Sequence, residues 1–541
     1  MKKYFSILIV LLFGIVATAN LLHAGFAVTH DGQDHIARIA NFYLNLQEGI
    51  IIPRWAANLN WGYGHPILEF LYPFPSYAAS FFHFLGFSFI NATKFVFVLS
   101  MIASGLTMYF FAKTVWGEKA GIVSGVLYMY APYRFVDLYV RGDIGEHVAF
   151  VFIPLVLLGM YTLSQKSTVS KLSWTAISLA LLILSHNAIA LMVVPLILLY
   201  ALYLSWQKKW NKKLMLFLGG SMLFGFLLSC FFWVPALFEG QYTLRNIVTK
   251  GEYVTRFVTF SQLLYGQWNY GQTGEFSVQL GITEWIMFVV SAFFTIKFWK
   301  KEKALSLLAF GLIVSTIVAI FFMLPQSNFL WSKILLLQNF QFPWRFLAIP
   351  VVTTAILGGY VVRCMSSKYQ TGVVVLVLFS VLLLSIPIMH AKAYMQKDES
   401  FFTGIYNSTT DTGESSPIWS VRFMLHRFDK PLEVISGSAK IIQESRLVTR
   451  HTYTVSSQGK SRLLENTLYF PGWRIKVDGR PVAVQFQEPK YRGLMTFFVA
   501  DGTHEVVVSY HESKIRVIGD TLSLIGIFSL VGLLFITRKK I

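Results

Sequence analysis

The feature that most constrains this chain is a succession of apolar runs, most of them long enough to cross a hydrocarbon core of about 30 Å as a helix. They fall near 4–22, 92–112, 120–134, 145–163, 172–186, 188–205, 214–236, 281–299, 304–324, 345–363, 371–389 and 516–537. A backbone in lipid must satisfy its own polar groups, so runs of this kind become helices. Composition agrees: 55% of the 541 residues are hydrophobic and only 13% are charged, about half the charge of a soluble domain. The expected fold is a mainly α polytopic membrane bundle of about 12–13 transmembrane helices. The first run follows Lys2 and Lys3 and reads as an uncleaved helix rather than a removed signal peptide.

The stretch 67–90 is also apolar but is broken by Pro66, Pro73 and Pro75. If it crossed, every later loop would change sides, and the charge distribution tests that. With 67–90 not crossing, one set of segments holds Lys2, Lys3, Lys113, Lys119, Lys166, Lys171, Lys208, Lys209, Lys212, Lys213, Lys297, Lys300, Lys301, Lys303, Arg363, Lys368, Arg538, Lys539 and Lys540. Against these 19 cations stand two acids, Glu118 and Glu302, so +17 of the chain's net +19 lies on one side. The positive-inside rule makes that side cytoplasmic, with both termini, and makes the protein a multi-pass protein of the cell membrane. The basic balance therefore reports orientation and implies no nucleic-acid partner. Cys230 and Cys364 lie too far apart in this topology to pair, and there is no cysteine metal site.

On the other side, outer loops are expected at 23–91, 135–147, 237–280 and 325–344 of a transmembrane region 1–389. A separate domain is expected over 390–515, followed by a final helix and basic tail over 516–541. In the first loop Ile36, Ile39, Ala40, Tyr43 and Leu44 fall at helical spacing, and Gly49 ends that helix. Within 390–515, runs such as Leu468-Tyr469-Phe470, Thr496-Phe497-Phe498-Val499 and Glu505–Tyr510 read as strands, with turns at Asp478-Gly479 and Asp501-Gly502. The expectation is an extracytoplasmic antiparallel β domain near the C-terminus. Tyr469 and Trp473 within it read as core before they read as a sugar-stacking surface.

Polar clusters sit where the apolar runs meet water on this side. The first loop carries His30-Asp31-Gly32-Gln33-Asp34-His35, and carboxylates at a membrane boundary are costly unless solvated, paired or bound to a cation. Asp34 and Arg38 also stand i,i+4, which permits a plain ion pair. The second loop carries Arg141-Gly142-Asp143-Ile144-Gly145-Glu146. Asp143 fits equally as a helix N-cap, a reading that suits Glu146 less well. Ser185-His186-Asn187 forms a tight turn that either is a solvated hairpin or adds an imidazole to the acids. Arg345, flanked by aromatics in Gln341-Phe342-Pro343-Trp344-Arg345-Phe346, suits either an interfacial anchor or bidentate recognition of a lipid phosphate. Glu239, Arg245 and Arg256 rank below these.

Taken together, a first helix, an outer loop opening with Asp, Gly49-Ile50-Ile51-Ile52-Pro53-Arg54-Trp55 and the Arg-Gly-Asp-x-x-Glu of the second loop resemble the C-type (GT-C) membrane glycosyltransferase superfamily. Asn60-Trp61-Gly62-Tyr63-Gly64, Gln341–Phe346 and Phe470-Pro471-Gly472-Trp473 are similar to bacterial YfhO-like membrane proteins. They are similar also to the integral membrane family labelled "6-pyruvoyl-tetrahydropterin synthase-related", a label that implies no pterin chemistry here. The resemblance implies transfer of a sugar from a polyprenyl-phosphate donor to an extracytoplasmic glycan, lipid or protein acceptor, in the service of the cell envelope. By position it implies catalytic roles for Asp31, with Asp34 as competitor, and for Asp143 and Glu146. His35, Arg141, His186 and Arg345 are then substrate-binding candidates. It also allows a divalent cation, Mg²⁺ or Mn²⁺, at Asp31, Asp143 and Glu146. The loop reads Asp-Gly-Gln-Asp-His where several members have Asp-Glu, which leaves the choice of base and any metal dependence open. The alternatives are a non-catalytic protein of envelope glycan assembly and, behind it, a lipid or glycan transporter. Transport ranks last because the runs are almost free of mid-membrane charge.

Overall fold

The computed structural model describes residues 2–271 and 275–538, so Lys539 and Lys540 of the basic tail lie outside the described residues. Every one of the twelve apolar runs forms helix. Eight helices are long and apolar enough to cross a membrane: Tyr4–Leu22, Phe89–Trp116, Ile144–Gln165, Asn187–Gln207, Lys303–Met323, Pro343–Cys364, Ser367–Ile388 and Lys514–Thr537. The pair Lys212–Leu228 and Cys230–Tyr242, bent by 67°, makes a ninth if it is one span. The expected count of 12–13 is therefore eight or nine by length and composition among the described residues. The remaining three runs give shorter helices. Ala131-Pro132 stops one at Glu118–Tyr130, because the residue before proline is driven out of the helical region. The other two, Val169–Ser185 and Ile282–Phe298, have 17 residues each.

Prolines also settle the stretch 67–90, which becomes two short helices, Ile67–Phe70 and Phe74–Phe84. Eleven residues at 1.5 Å each reach only about 16 Å, too short to cross. Helix ends sort accordingly. Phe89–Trp116, Asn187–Gln207 and Pro343–Cys364 finish at Trp116, Gln207 and Arg363, which line one cavity with Lys303. The opposite ends of two of them, His186-Asn187 and Trp344-Arg345, line a second cavity with Asp31 and Asp143. The basic segments and the polar clusters thus sit at opposite ends of the bundle.

At the polar end lies a six-stranded antiparallel sheet: β1 (Leu432–Arg446), β2 (Arg450–Leu468), β3 (Trp473–Val477), β4 (Arg480–Pro481), β5 (Leu494–Val499) and β6 (Gly502–Tyr510). Its order is β1-β2-β6-β3-β4, with β5 also paired to β2. Asp478 and Gly479 both have positive φ (49° and 76°), the requirement of the two-residue turn joining β3 to β4. Trp473 belongs to the sheet's core, edge-on to Trp55 of the first loop at 5.4 Å. Ion pairs tie this end together: buried Arg516 meets Glu69 at 2.9 Å and Glu239 at 2.7 Å, and Arg54 meets the partly exposed Asp520 at 2.8 Å.

Candidate functional site

The site is built from two loops laced by backbone. The first-loop helix runs Gly32–Gln47, as the spacing of its apolar residues requires, and Asp31 is its N-cap. Just before it, His30 N–H donates to Val140 C=O (2.9 Å) and Asp31 N–H to Arg141 C=O (2.8 Å). Gly142 permits this approach. It has φ +69°, and a Cβ there would lie 2.2 Å from Thr29 Oγ1 and 3.0 Å from Gly32 N.

The second loop folds as a π-helical turn, Val136–Arg141, followed by the helix Ile144–Gln165. Arg141 is buried and gathers three acids. Its Nη1 lies 2.5 Å from Asp137 Oδ1 and 2.6 Å from Glu146 Oε2, and its Nη2 lies 2.7 Å from Asp143 Oδ2. The other oxygens are engaged too: Tyr133 Oη donates to Glu146 Oε1 (2.6 Å), while Glu146 N–H (3.0 Å) and Tyr72 Oη (3.2 Å) donate to Asp143 Oδ1. Asp143 is therefore an N-cap and part of the charged cluster at once. His186 is likewise a cap, its Nδ1 accepting from Ile189 N–H (3.1 Å), while its Nε2 stands 3.8 Å from Asp143 Oδ2.

A cavity of about 360 Å³ opens over these groups. Asp31, Asp34, His35, Arg141, Asp143, His186 and Arg345 all line it, so the candidates from four separate segments converge. Glu146 lies behind them, fully buried against Arg141 and Tyr133. Asp31 and Asp34 differ in kind. Asp34 accepts from Tyr406 Oη at 2.8 Å, whereas no described side chain or backbone donor engages the Asp31 carboxylate. Arg38 turns away from Asp34 in hydrogen bonding, donating to Thr410 Oγ1 at 2.9 Å.

Burial raises the Asp31 carboxyl above its ordinary range, and the negative charge of Asp143 adds to the rise. Burial raises Asp34 as well. For Asp143 burial pulls the same way, but Arg141 overrides it and holds this carboxyl well below the usual range. The His35 imidazole is held down at about 3 by burial and by Arg38, and is neutral at physiological pH.

Cations supply the far wall. Arg345 has its guanidinium over the Phe342 ring at 4.8 Å and donates only to Phe340 C=O (3.1 Å). Neither Arg345 nor Arg245, which also lines the cavity, forms an ion pair among the described residues. Glu239, by contrast, pairs with Arg516 outside the cavity, and Arg256 packs near the Phe342 ring at 5.8 Å.

Asp143, Glu146 and His186 present ligand atoms within 4.8 Å of one another, spacing that suits a metal; Asp31 is not in that group. The donor set itself does not suit a divalent ion. Arg141 already occupies the centre with one positive charge, and both carboxylates spend their oxygens on it, on tyrosines and on a backbone N–H.

Sequence reasoning missed Asp137, the third acid on Arg141, although its i,i+4 spacing was visible. It also missed Tyr406, Thr410, Asp411 and Glu414, a wall contributed from far along the chain. Their loop is stitched to the first by Tyr406 N–H to Asn58 C=O and Asn60 N–H to Ser408 C=O, both 2.8 Å. No local pattern announces such a contact.

Among known proteins, the family model described as 6-pyruvoyl-tetrahydropterin synthase related domain, a membrane protein, matches residues 68–395. An uncharacterised protein of Lactococcus lactis subsp. cremoris is 26% identical over 260 residues, 46% of this chain and 42% of that protein. The chain thus spans less than half the length of that relative. Three solved structures are similar in fold. Arabinofuranosyltransferase AftD from Mycobacteria has a TM-score of 0.47 and 12% identity, over 72% of this chain and 27% of that one. The Archaeoglobus fulgidus oligosaccharyltransferase in its apo form has 0.44 and 13%, over 77% and 61%. ArnT from Cupriavidus metallidurans bound to undecaprenyl phosphate has 0.40 and 15%, over 74% and 68%.

Proposed function

The chain belongs to the 6-pyruvoyl-tetrahydropterin synthase related family of membrane proteins, and we propose that it is a membrane glycosyltransferase moving a sugar from a polyprenyl-phosphate donor to an extracytoplasmic acceptor. The observation that carries this reading is the contrast across one cavity. Among the described residues, a carboxylate with no hydrogen-bond donor on it, Asp31, shares that cavity with two guanidinium groups that form no ion pair, Arg345 and Arg245.

Each group has a task in that reaction. Asp31 takes the proton from an acceptor hydroxyl as its oxygen bonds to the anomeric carbon. The bond from that carbon to the phosphate oxygen breaks, and the electron pair leaves with the phosphate. Arg345 and Arg245 stabilise the charge that develops there. Arg141 holds Asp143 and Glu146 in place and carries Asp31 on its own carbonyl. No step uses a metal ion, since the guanidinium fills that position. Asp34, hydrogen-bonded to Tyr406, serves as a wall residue and not as the base.

The basic ends of the helices are cytoplasmic on this reading, which puts the cavity and the sheet outside the cytoplasm. The region 390–515 is then an outer domain whose 406–416 loop completes the site. A test is to reconstitute the purified protein in liposomes with radiolabelled undecaprenyl-phosphate pentoses and hexoses and a cell-envelope extract as acceptor. Label moving to the acceptor from one of these donors supports the proposal. The absence of both transfer and donor binding with all of them overturns it.

A further inference from the structure

A second cavity, of about 270 Å³, lies at the same end of the bundle. Its floor holds Glu284, in the first turn of the helix Ile282–Phe298. The Glu284 side chain is only 3% exposed, and its Oε1 has no hydrogen-bond partner among the described residues. The helix start explains one oxygen: Oε2 turns back toward Gly281, where the free backbone N–H groups are. It does not explain the other. A buried carboxylate oxygen left without a donor is costly, and such groups are ordinarily paired.

The cavity provides no cationic partner. Among the described residues that line it there is no lysine, arginine or histidine. What it does provide is aromatic surface from Tyr130, Tyr265 and Trp268, the lining that attracts cations through the ring quadrupole. Its rim is apolar and outward-facing: Ile282, Leu383 and Leu384 are 45%, 55% and 42% exposed. Those leucines belong to Ser367–Ile388, one of the helices long enough to span. Aromatic walls, a buried carboxyl group with one unpartnered oxygen and an exposed apolar rim match an amphipathic ligand whose head carries a positive charge and N–H donors.

We infer that this cavity binds the primary ammonium headgroup of a membrane lipid, with the ammonium on Glu284 and the acyl chains along Leu383 and Leu384. Its leaflet follows from the sidedness proposed above; the binding does not depend on that reading or on catalysis.

The probe is phosphatidylethanolamine, compared with phosphatidylglycerol and with N-acetylated phosphatidylethanolamine, which keeps the chains and the phosphate and loses the ammonium charge. Lipid retention on the purified full-length protein is read by native mass spectrometry and by exchange in nanodiscs. Wild type is expected to hold phosphatidylethanolamine about tenfold or more above both controls, as an added charge-assisted contact implies. Glu284→Gln, which keeps the shape and loses the charge, is expected to abolish that preference. Tyr265→Ala, at the exposed rim, is expected to weaken it while leaving the fold unchanged by circular dichroism. Equal retention of the three lipids by wild type overturns the inference, and so does an unchanged preference in a folded Glu284→Gln. Sugar transfer is not measured in any arm, so failure here leaves the proposed reaction to its own test.

Discussion

Arg141 Nη1 lies 2.6 Å from Glu146 Oε2, and both side chains are buried. This pair stands where the acids of the second loop would otherwise need a cation, and it has two consequences. Chelation with EDTA is expected to leave the transfer rate unchanged, since the positive charge is covalently part of the chain. Arg141→Ala is expected to cost about 3–5 kcal/mol of stability, the usual effect of stranding buried partners. The transfer assay with and without EDTA measures the first, and thermal denaturation in detergent measures the second. A strict metal requirement in wild type contradicts the account.

Gly142 offers a backbone test at the same place. Gly142→Ala adds a methyl group 2.2 Å from Thr29 Oγ1 at a φ that side chains disfavour. The two loops must part, lengthening the contact between Asp31 N–H and Arg141 C=O. Activity is expected to fall by about 10²-fold, as misplacement near 1 Å does, with donor affinity little changed. A fully active Gly142→Ala variant shows that the lacing does not matter.

The pH profile follows from the environment of Asp31. A base works only when ionised, and burial with the nearby Asp143 charge raises this carboxyl. The rate is therefore expected to fall on acidification at a pH above the ordinary carboxylate value of about 3.9. Asp143→Asn removes one of the raising influences and is expected to move that limb to lower pH. His35, held at about 3, adds no limb near neutrality. The same shift has a sign for stability. An acid whose pKa is raised by folding binds protons more tightly when folded, so its ionisation opposes folding as pH rises past its unfolded value. Asp31→Asn removes that opposition and is expected to raise the melting temperature at neutral pH.

On the proposed reading Arg345 meets the donor phosphate with two N–H groups, which lysine cannot imitate. Arg345→Lys is expected to raise KM for the polyprenyl-phosphate donor about tenfold with a smaller change in kcat. Asp34→Asn, which keeps an acceptor for Tyr406, is expected to be mild. A variant at Asp34 that is as inactive as one at Asp31 reverses the assignment of the base.

Much of this was legible in the chain itself. Apolar length gave the helices, proline gave the short pieces of 67–90, and the placement of lysines gave the two ends. The candidate residues were legible because charge at a membrane boundary is costly and so conspicuous: Asp31, Asp143, His186 and Arg345 stand out against apolar flanks. Asp137 was hidden because a π-helical turn, not a plain loop, carries it to Arg141. Tyr406 and Thr410 were hidden for another reason. They reach Asp34 and Arg38 across 372 residues of sequence, and only the packing of the C-terminal region on the first loop creates that contact. Fewer helices reach spanning length than the twelve to thirteen expected, because Ala131-Pro132 ends one helix early and two other runs give helices of 17 residues.

The central claim is that Asp31 is the base of a sugar-transfer reaction. The most direct measurement is the initial rate of transfer from a radiolabelled undecaprenyl-phosphate sugar in proteoliposomes, wild type against Asp31→Asn, with donor binding measured on the same samples. The account predicts a loss of about 10³-fold or more with donor binding and folding intact. Transfer at the wild-type rate by folded Asp31→Asn protein would contradict it.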